Sequence, residues 1–222
     1  MRRSMRHSMR HSSYRRSRSS DSSSMVVRKS DSGRHKWTAL HWAAVRDRSV
    51  IVQLLLENRA DVEAADKTGV TSLMLAAHYG RLAIMNVLVE KGADVEVEGE
   101  YGAALIRASM GGHKEVVQSL LGRGAKPSAL DNKCGEMALH WAAERGHEGI
   151  SELLLLHGGF LDAQDAFVET ALHYAAGNGH GLVVEVPLRN RPNLLLQDKK
   201  GRTPQAYAEQ NRHTNVSRIL KE

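Results

Sequence analysis

Six regularly spaced histidines are the residues of this sequence whose type and spacing best suit chemistry. Three lie in nearly identical segments and three follow a glycine: His41, His140 and His173, and His113, His147 and His180. Rows of imidazoles suggest a metal site, because neutral imidazole is a common zinc ligand. No cysteine or paired carboxylate stands beside them at ligand spacing, so the sequence favours a structural role for these histidines.

Motifs of the common enzyme classes are absent from the sequence. It contains no G-x-S-x-G, no G-x-x-x-x-G-K-[ST] and no H-E-x-x-H. The single cysteine, Cys134, excludes an intramolecular disulfide bond and a cysteine-based zinc site, and we interpret it as a loop thiol in a reducing compartment. We therefore expect a non-enzymatic protein with no catalytic residue, no metal and no cofactor.

The first row of histidines belongs to a segment that recurs along the chain. Its copies are TALHWAA at 38–44, ALHWAA at 138–143 and ALHYAA at 171–176, with a diverged copy, TSLMLAA, at 71–77. A period near 33 residues predicts a stacked repeat architecture. The register divides the chain into units 33–65, 66–98, 99–130, 131–164 and 165–197, followed by a partial unit at 198–222.

Each unit carries two short apolar patterns with helical spacing. A threonine precedes the first pattern in four units, where its hydroxyl can accept a hydrogen bond from an unpaired backbone N–H: Thr38, Thr71, Thr170 and Thr203. Gly92, Gly124 and Gly158 follow the second pattern, where a helix ends and a positive φ is favoured. The unit is therefore predicted to be helix, turn, helix and loop.

Pro187 interrupts this pattern in the second helix of the fifth unit, at the position that Leu154 holds in the fourth. A proline inside a helix removes a hydrogen bond and clashes with the preceding turn, which costs about 3 kcal/mol. Arg191 and Pro192 also replace the glycine pair at 158–159. We predict a kinked or shortened helix and a loosely held final unit.

The unit resembles the ankyrin repeat, D-x-x-G-x-T-P-L-H-x-A-A-x-x-G-H followed by an apolar helix and G-A-D-V, and the resemblance covers residues 33–222. Matches in the second unit are Asp66, Gly69, Thr71, Leu73, Ala76, Ala77, Gly80, Gly92, Ala93, Asp94 and Val95. Ala103 and Met137 depart from the pattern at the threonine position. The resemblance implies an all-α solenoid of stacked helix-turn-helix units with β-turn or hairpin loops. It also implies that both rows of histidines bond backbone and loop groups between units.

Ankyrin repeats bind partner proteins through positions that vary between copies, at the loop tips and on the outward side of the first helix. The resemblance implies these partner-binding candidates: Trp37, Arg46, Lys67, His78, Tyr79, Glu100, Tyr101, Met110, Lys133, Glu136, Glu144, Arg145, Phe167, Glu169, Asn178, Lys199, Lys200 and Arg202. Acidic candidates gather towards the middle and basic ones at the two ends. We therefore hypothesise a ligand that is basic at its centre.

The N-terminal segment holds the whole formal net charge. Residues 1–24 contain seven arginines and one acid, whereas the 24 Lys and Arg of residues 25–222 are balanced by 24 Asp and Glu. Ten serines among those 24 residues predict a disordered tail, which we extend to residues 1–32. The tail could contact RNA or acidic partners and be phosphorylated at Ser17 or Ser19. It could instead be a mitochondrial transit peptide, or an extension before a true start at Met25.

Apolar patterning bears on the location of the protein. The sequence has no apolar run near 18 residues and no apolar N-terminal signal region, so we expect neither a membrane span nor secretion. We expect a cytoplasmic or nuclear monomer that binds another protein as an adaptor. The alternative is a nucleic-acid-associated factor whose tail binds RNA while the solenoid recruits a partner.

Overall fold

The computed structural model describes residues 36–221, and the tail predicted over residues 1–32, with Ser17 and Ser19, lies outside them. The described residues form twelve helices in six consecutive pairs: α1 Ala39–Val45, α2 Ser49–Glu57, α3 Ser72–His78, α4 Leu82–Glu90, α5 Ala104–Gly111, α6 Lys114–Gly122, α7 Ala138–Arg145, α8 Glu148–Leu156, α9 Ala171–Asn178, α10 Gly181–Leu188, α11 Pro204–Gln210 and α12 Thr214–Ile219. No helix within this range is long and apolar enough to cross a membrane.

The helix pairs stack one after another along the chain. Each first helix packs against the first helix of the next pair, and each second helix packs against the next second helix. Short antiparallel β-bridges close loops between pairs, joining Ala65 to Thr71, Gly99 to Gly102 and Leu130 to Met137. The predicted all-α solenoid is confirmed. The last unit, predicted to be partial, contains both of its helices.

Small side chains separate the stacked first helices. Ala44, Ala76, Ala142 and Ala175 each have 0 % of their surface exposed. A methyl group is the largest side chain that such close helix axes accommodate, because inserted methylene groups force neighbouring side chains and backbone to shift. The alanine pairs of the repeated segment are therefore a packing requirement of the stack.

Threonine hydroxyl groups cap the N-termini of several first helices, as the sequence predicts. The Thr38 side chain accepts a hydrogen bond from the N–H of His41, and the Thr71 side chain accepts one from Met74. Ala103 and Met137 have no hydroxyl to offer at this position. Their helices begin without that bond, which is worth about 1 kcal/mol in other helices.

The first row of histidines links three of the first helices, α1, α7 and α9, to a loop. Nδ1 of His41 accepts a hydrogen bond from the backbone N–H of Thr38 (3.1 Å), so the ring proton lies on Nε2, which donates to the carbonyl of Val70 (2.9 Å). His173 makes the corresponding pair of bonds, with the N–H of Thr170 and the carbonyl of Arg202, both at 3.1 Å. His140 accepts from the N–H of Met137 (3.1 Å) and donates to the carbonyl of Ala163 (3.0 Å), which lies in its own unit. Burial lowers the pKa of both His140 and His173, which keeps these rings neutral.

The second row of histidines bonds to the C-terminal end of the first helix in the preceding unit. Nε2 of His113 lies 2.9 Å from the carbonyl oxygen of His78, and Nε2 of His180 lies 3.0 Å from that of Glu144. The ring of His113 rests on Gly80, where an added Cβ would lie 2.4 Å from Nδ1. The framework role of the histidines is confirmed. Within residues 36–221, no three His, Cys, Asp or Glu side chains are grouped to hold a metal ion.

Pro187 shortens α10. The helix has eight residues, whereas the preceding second helices each have nine. Because Pro187 has no N–H, it cannot donate to the carbonyl of Val183, one turn earlier. Arg191 then adopts a φ of +54° where Gly158 has +84°. A non-glycine residue in this left-handed region costs about 1 to 2 kcal/mol. The predicted shortening is confirmed, and the loose attachment of the final unit stays a prediction.

We expect residues 182–222 to exchange their amide hydrogens faster than residues 142–157, because the defects at Pro187 and Arg191 favour local opening. Native-state hydrogen exchange followed by mass spectrometry measures this difference. Pro187→Leu should increase protection across 182–222 by about 1 to 3 kcal/mol. Pro127→Leu, in the loop after α6, serves as the matched control and should change little across 182–222. Equal protection of the two regions in the unsubstituted chain would contradict the prediction.

Candidate partner-binding surface

The partner-binding candidates lie in two neighbouring strips, the loop tips and the outer side of the first helices. Hydrogen bonds join the tips of neighbouring loops from the second unit onwards. Three are backbone bonds: Glu100 N–H to the oxygen of Thr68 (2.9 Å), Ala166 N–H to that of Cys134 (2.9 Å) and Lys199 N–H to that of Phe167 (3.4 Å). Between the third and fourth units the side chain of Asn132 donates from Nδ2 to the carbonyl oxygen of Gly99 (3.3 Å). These bonds fix the order and spacing of the side chains that the tips carry.

An aromatic patch, defined as Trp37, Trp42, Val45 and Tyr79, occupies the N-terminal end of this surface. The ring centroids of Trp37 and Trp42 lie 4.7 Å apart in an edge-to-face arrangement. Trp37, Val45 and Tyr79 are half-buried against a small apolar cluster, separate from the main core, made of Val70, Met74 and Leu75. Half-buried aromatic side chains contribute most to binding when a partner desolvates them.

Two cations lie over the ring of Tyr101 in the middle of the surface. Nζ of Lys133 is 4.6 Å from the ring centroid and 3.0 Å from the hydroxyl oxygen, and Cζ of Arg107 is 5.3 Å from the centroid. The hydrogen bond with Tyr101 raises the pKa of Lys133, so its ammonium group stays charged at neutral pH. Lys133 is exposed whereas Arg107 is buried, so the middle of the surface presents one ammonium group together with an aromatic ring.

Glu136 lies inside the protein, in a cluster with Tyr174 and Asp165. Only 3 % of its surface is exposed, and the Tyr174 hydroxyl lies 2.8 Å from Glu136 Oε1 and 2.7 Å from Asp165 Oδ2. Burial raises the pKa of Glu136 to about 8, and the charges of Asp131, Glu144 and Asp165 add to this, while the bond with Tyr174 opposes it. At neutral pH the carboxyl group is therefore mainly protonated.

The next unit repeats this cluster with a cation added. Glu169, only 2 % exposed, accepts a hydrogen bond from the Tyr207 hydroxyl, which also lies 2.9 Å from Asp198 Oδ2. Arg202 places Nη2 2.5 Å from the same oxygen of Asp198. Burial alone would raise the pKa of Asp198, but hydrogen bonds, above all from Arg202, hold it well below its usual range. The two clusters differ because the positive charge of Arg202 compensates the negative charge of the carboxylates in the second one.

Three of the predicted partner-binding residues are buried, and their prediction is wrong. Met110 is 5 % exposed and packs in the main core, while Glu136 and Glu169 are enclosed as described above. Of the four acidic candidates, Glu136 and Glu169 are thus buried, Glu144 is half-buried and Glu100 is exposed, which argues against a ligand that is basic at its centre. The physical reason is that neighbouring Tyr174 and Tyr207 bond the carboxyl groups of Glu136 and Glu169 and cover them.

The other candidates reach the surface to different degrees. Those that are exposed are Arg46, Lys67, Glu100, Lys133, Arg145, Lys199 and Lys200. Those that are half-buried are Trp37, His78, Tyr79, Tyr101, Glu144, Phe167, Asn178 and Arg202. Sequence reasoning did not select Arg107, although this residue stands where Trp42, Tyr174 and Tyr207 stand in other units. Comparing that one position across all units would have found it.

Glu136→Gln should stabilise the protein at alkaline pH. Because the pKa of Glu136 is raised on folding, its contribution is complete at acidic pH and is lost as the pH rises towards 8. We expect the variant to exceed the original chain by roughly 2 to 4 kcal/mol in free energy of unfolding at pH 8.5, and by little at pH 5. Urea denaturation at both pH values measures this. Glu90→Gln, at an exposed glutamate at the end of α4, is the control, and an equal effect of Glu136→Gln at both pH values would refute the assignment.

Comparison with known proteins agrees with the geometry of the helix pairs. A family model described as ankyrin repeats (3 copies) matches residues 22–98 and 105–192. An E3 ubiquitin-protein ligase, XBAT33, of Arabidopsis thaliana is 34% identical over 116 residues, 52% of this chain and 16% of the ligase. The human ankyrin repeat and KH domain-containing protein 1 is 38% identical over 134 residues, 58% of this chain and 4% of the relative.

The Drosophila melanogaster ankyrin repeat and KH domain-containing protein mask is 38% identical over 129 residues, 58% of this chain and 2% of the relative. The chain thus spans less than a fifth of each of these three relatives. The family model covers well over half of the 222 residues, in the same helix pairs that the histidines link. The chain belongs to the ankyrin repeat family.

Proposed function

We propose that this chain is a non-enzymatic adaptor that binds a partner protein along the loop tips and the outer side of its first helices. The observation that carries the proposal is the aromatic patch, in which Trp37, Val45 and Tyr79 remain half-buried on a rigid stack of helices. A preorganised surface loses little conformational entropy on binding. Aromatic anchors of this kind are typical of the residues that dominate binding energies.

The similarity to a ubiquitin ligase carries no activity to this chain, because it covers 16% of that protein. The buried carboxyl groups of Glu136, Glu169 and Asp198 serve structure, since they are bonded to tyrosines or arginine. The thiol of Cys134 is a poor nucleophile because burial raises its pKa to about 11. We further propose that the protein acts as a monomer in the cytoplasm or nucleus, where a free thiol persists.

Tyr79→Ala should weaken partner binding about tenfold, because a truncated aromatic anchor costs more than 1 kcal/mol. Partners crosslinked to the full chain in an extract would be identified by mass spectrometry, then purified, and their Kd measured by calorimetry. Phe160→Ala, at an exposed aromatic residue after α8, is the matched control and should bind normally. Thermal unfolding checks that both variants are folded. Equal affinities of the two folded variants would refute the proposal.

A second candidate function rests on the tail, because its seven arginines and one acid account for the formal net charge of +6. In this function the tail binds RNA and the solenoid recruits a protein. If seven arginines each met a phosphate, log K for single-stranded RNA should fall with log salt at a slope of about −5. Replacing the seven arginines by glutamine in the full chain should abolish that dependence. Unchanged RNA binding by this variant, or a flat salt response of the original chain, would remove this function.

A further inference from the structure

The loop tips of the last three units form a cationic patch around one aromatic side chain. The tip patch, as we define it, comprises Lys133, Phe167, Lys199 and Lys200, of which the three lysines are exposed and Phe167 is half-buried. The positive charge of the patch does not reflect a basic domain as a whole, because residues 36–221 contain 21 Lys and Arg and 22 Asp and Glu. Positive charge is therefore concentrated at these tips.

The acids of the same loops are turned inwards. Asp131, Asp165 and Asp198 are buried, and each accepts a hydrogen bond from a backbone N–H of its own loop: Cys134 (2.7 Å), Phe167 (2.8 Å) and Lys200 (2.8 Å). Glu136 and Glu169 are enclosed by tyrosines. Glu100 is exposed on the tip of the third unit, so the patch begins at the fourth.

Contacts between loops hold the patch in shape. Lys199 donates from Nζ to the carbonyl oxygen of Ala166 (2.5 Å) and from its backbone N–H to that of Phe167 (3.4 Å). Ala166 in turn donates its N–H to the oxygen of Cys134 (2.9 Å). Phe167 is thus held between the tip that carries Lys133 and the tip that carries Lys199 and Lys200.

The backbone beside Phe167 is strained. Val168 has a φ of +65°, where the corresponding residues Gly69, Gly135 and Gly201 have +74°, +66° and +72°. A β-branched residue is a genuine outlier in this region, and residues held in such conformations cluster at functional sites. The strained residue is therefore adjacent to the aromatic side chain of the patch.

We propose that the tip patch binds an acidic polypeptide segment that places an apolar side chain on Phe167 and carboxylates on the flanking lysines. The proposal rests on the adaptor function and names the chemistry of the partner. Stacked helices lie about 8 to 10 Å apart, and an extended chain advances about 3.3 to 3.6 Å per residue. Successive contacts are therefore about three residues apart, in the order acid, apolar and acid.

The ring of Tyr101 argues for a polypeptide rather than a nucleic acid. Single-stranded nucleic acids bind where successive bases stack on aromatic rings. Lys133 and Arg107 lie 4.6 and 5.3 Å from the centroid of Tyr101, so a base would have to displace a cation to stack there. Ammonium groups on neighbouring loops suit separate carboxylates along an extended segment.

The test uses the full chain with its seven tail arginines replaced by glutamine, so that the tail does not bind the probe. The probe is the fluorescein-labelled peptide Glu-Glu-Ser-Leu-Ser-Glu-Glu, with its all-glutamine analogue and a uridine dodecamer as comparisons. Fluorescence anisotropy at low ionic strength gives the affinities. Lys133→Gln, Lys199→Gln and Lys200→Gln are combined in one variant. Lys91→Gln, Lys114→Gln and Lys126→Gln, at exposed lysines away from the tips, form the control with the same net charge.

We expect the tip variant to bind the acidic peptide at least fivefold more weakly and the control to bind within twofold of the parent. Phe167→Ala should also weaken binding, whereas Phe160→Ala should not. Equal losses in both triple variants would show that only net charge matters and would overturn the proposal. So would no binding of the peptide, or binding of the uridine dodecamer that is as tight and depends on the same lysines. If Tyr79→Ala weakens the binding of a partner protein and the lysine variant does not, this inference is overturned and the adaptor function is left intact.

Discussion

Nε2 of His41 donates to the carbonyl oxygen of Val70, 2.9 Å away in the next unit, while Nδ1 accepts the N–H of Thr38. His173 repeats this bridge to the carbonyl of Arg202, and bonds of this kind make a unit depend on its neighbour for hydrogen bonds that it cannot satisfy alone. Buried carbonyl groups without partners cost about 1 to 3 kcal/mol each, so a single unit would be unstable by itself. Stability is therefore built up from contacts between neighbours.

Because the histidines and alanines stabilise the stack, the side chains at the tips and on the outer side of the first helices are not needed for its packing. They carry different chemistry along the chain, with the aromatic patch at the first two units and the tip patch at the last three. Between them Tyr101 lies under Lys133 and Arg107. A partner that meets both ends of this surface has only one favourable direction of binding, which is a source of specificity.

The two buried carboxyl clusters show how one sequence position changes its role between units. Glu136, Glu169 and Arg202 stand at the same position in successive units, just before the first helix. Arg202 comes within 3.9 Å of Glu169, so the second cluster contains a cation, whereas Glu136 meets Tyr174 and the charges of other acids. Protonation of the first cluster is consequently coupled to folding as the pH rises towards 8, whereas the lowered pKa of Asp198 couples the second cluster to folding in acid.

The resemblance to ankyrin repeats implied the framework role of the histidines, and the sequence by itself determined the repeat period, the helix pairs and the shortened helix at Pro187. These features depend on local spacing, capping and backbone geometry, which are written in consecutive residues. Only the tertiary structure decided that Glu136 and Glu169 are buried while Lys133 and Lys199 are exposed. Their burial depends on Tyr174 and Tyr207, which lie 38 residues further along the chain and reach them only when the units stack. Contacts of that kind have no local signal, because they arise from the packing of one unit on the next.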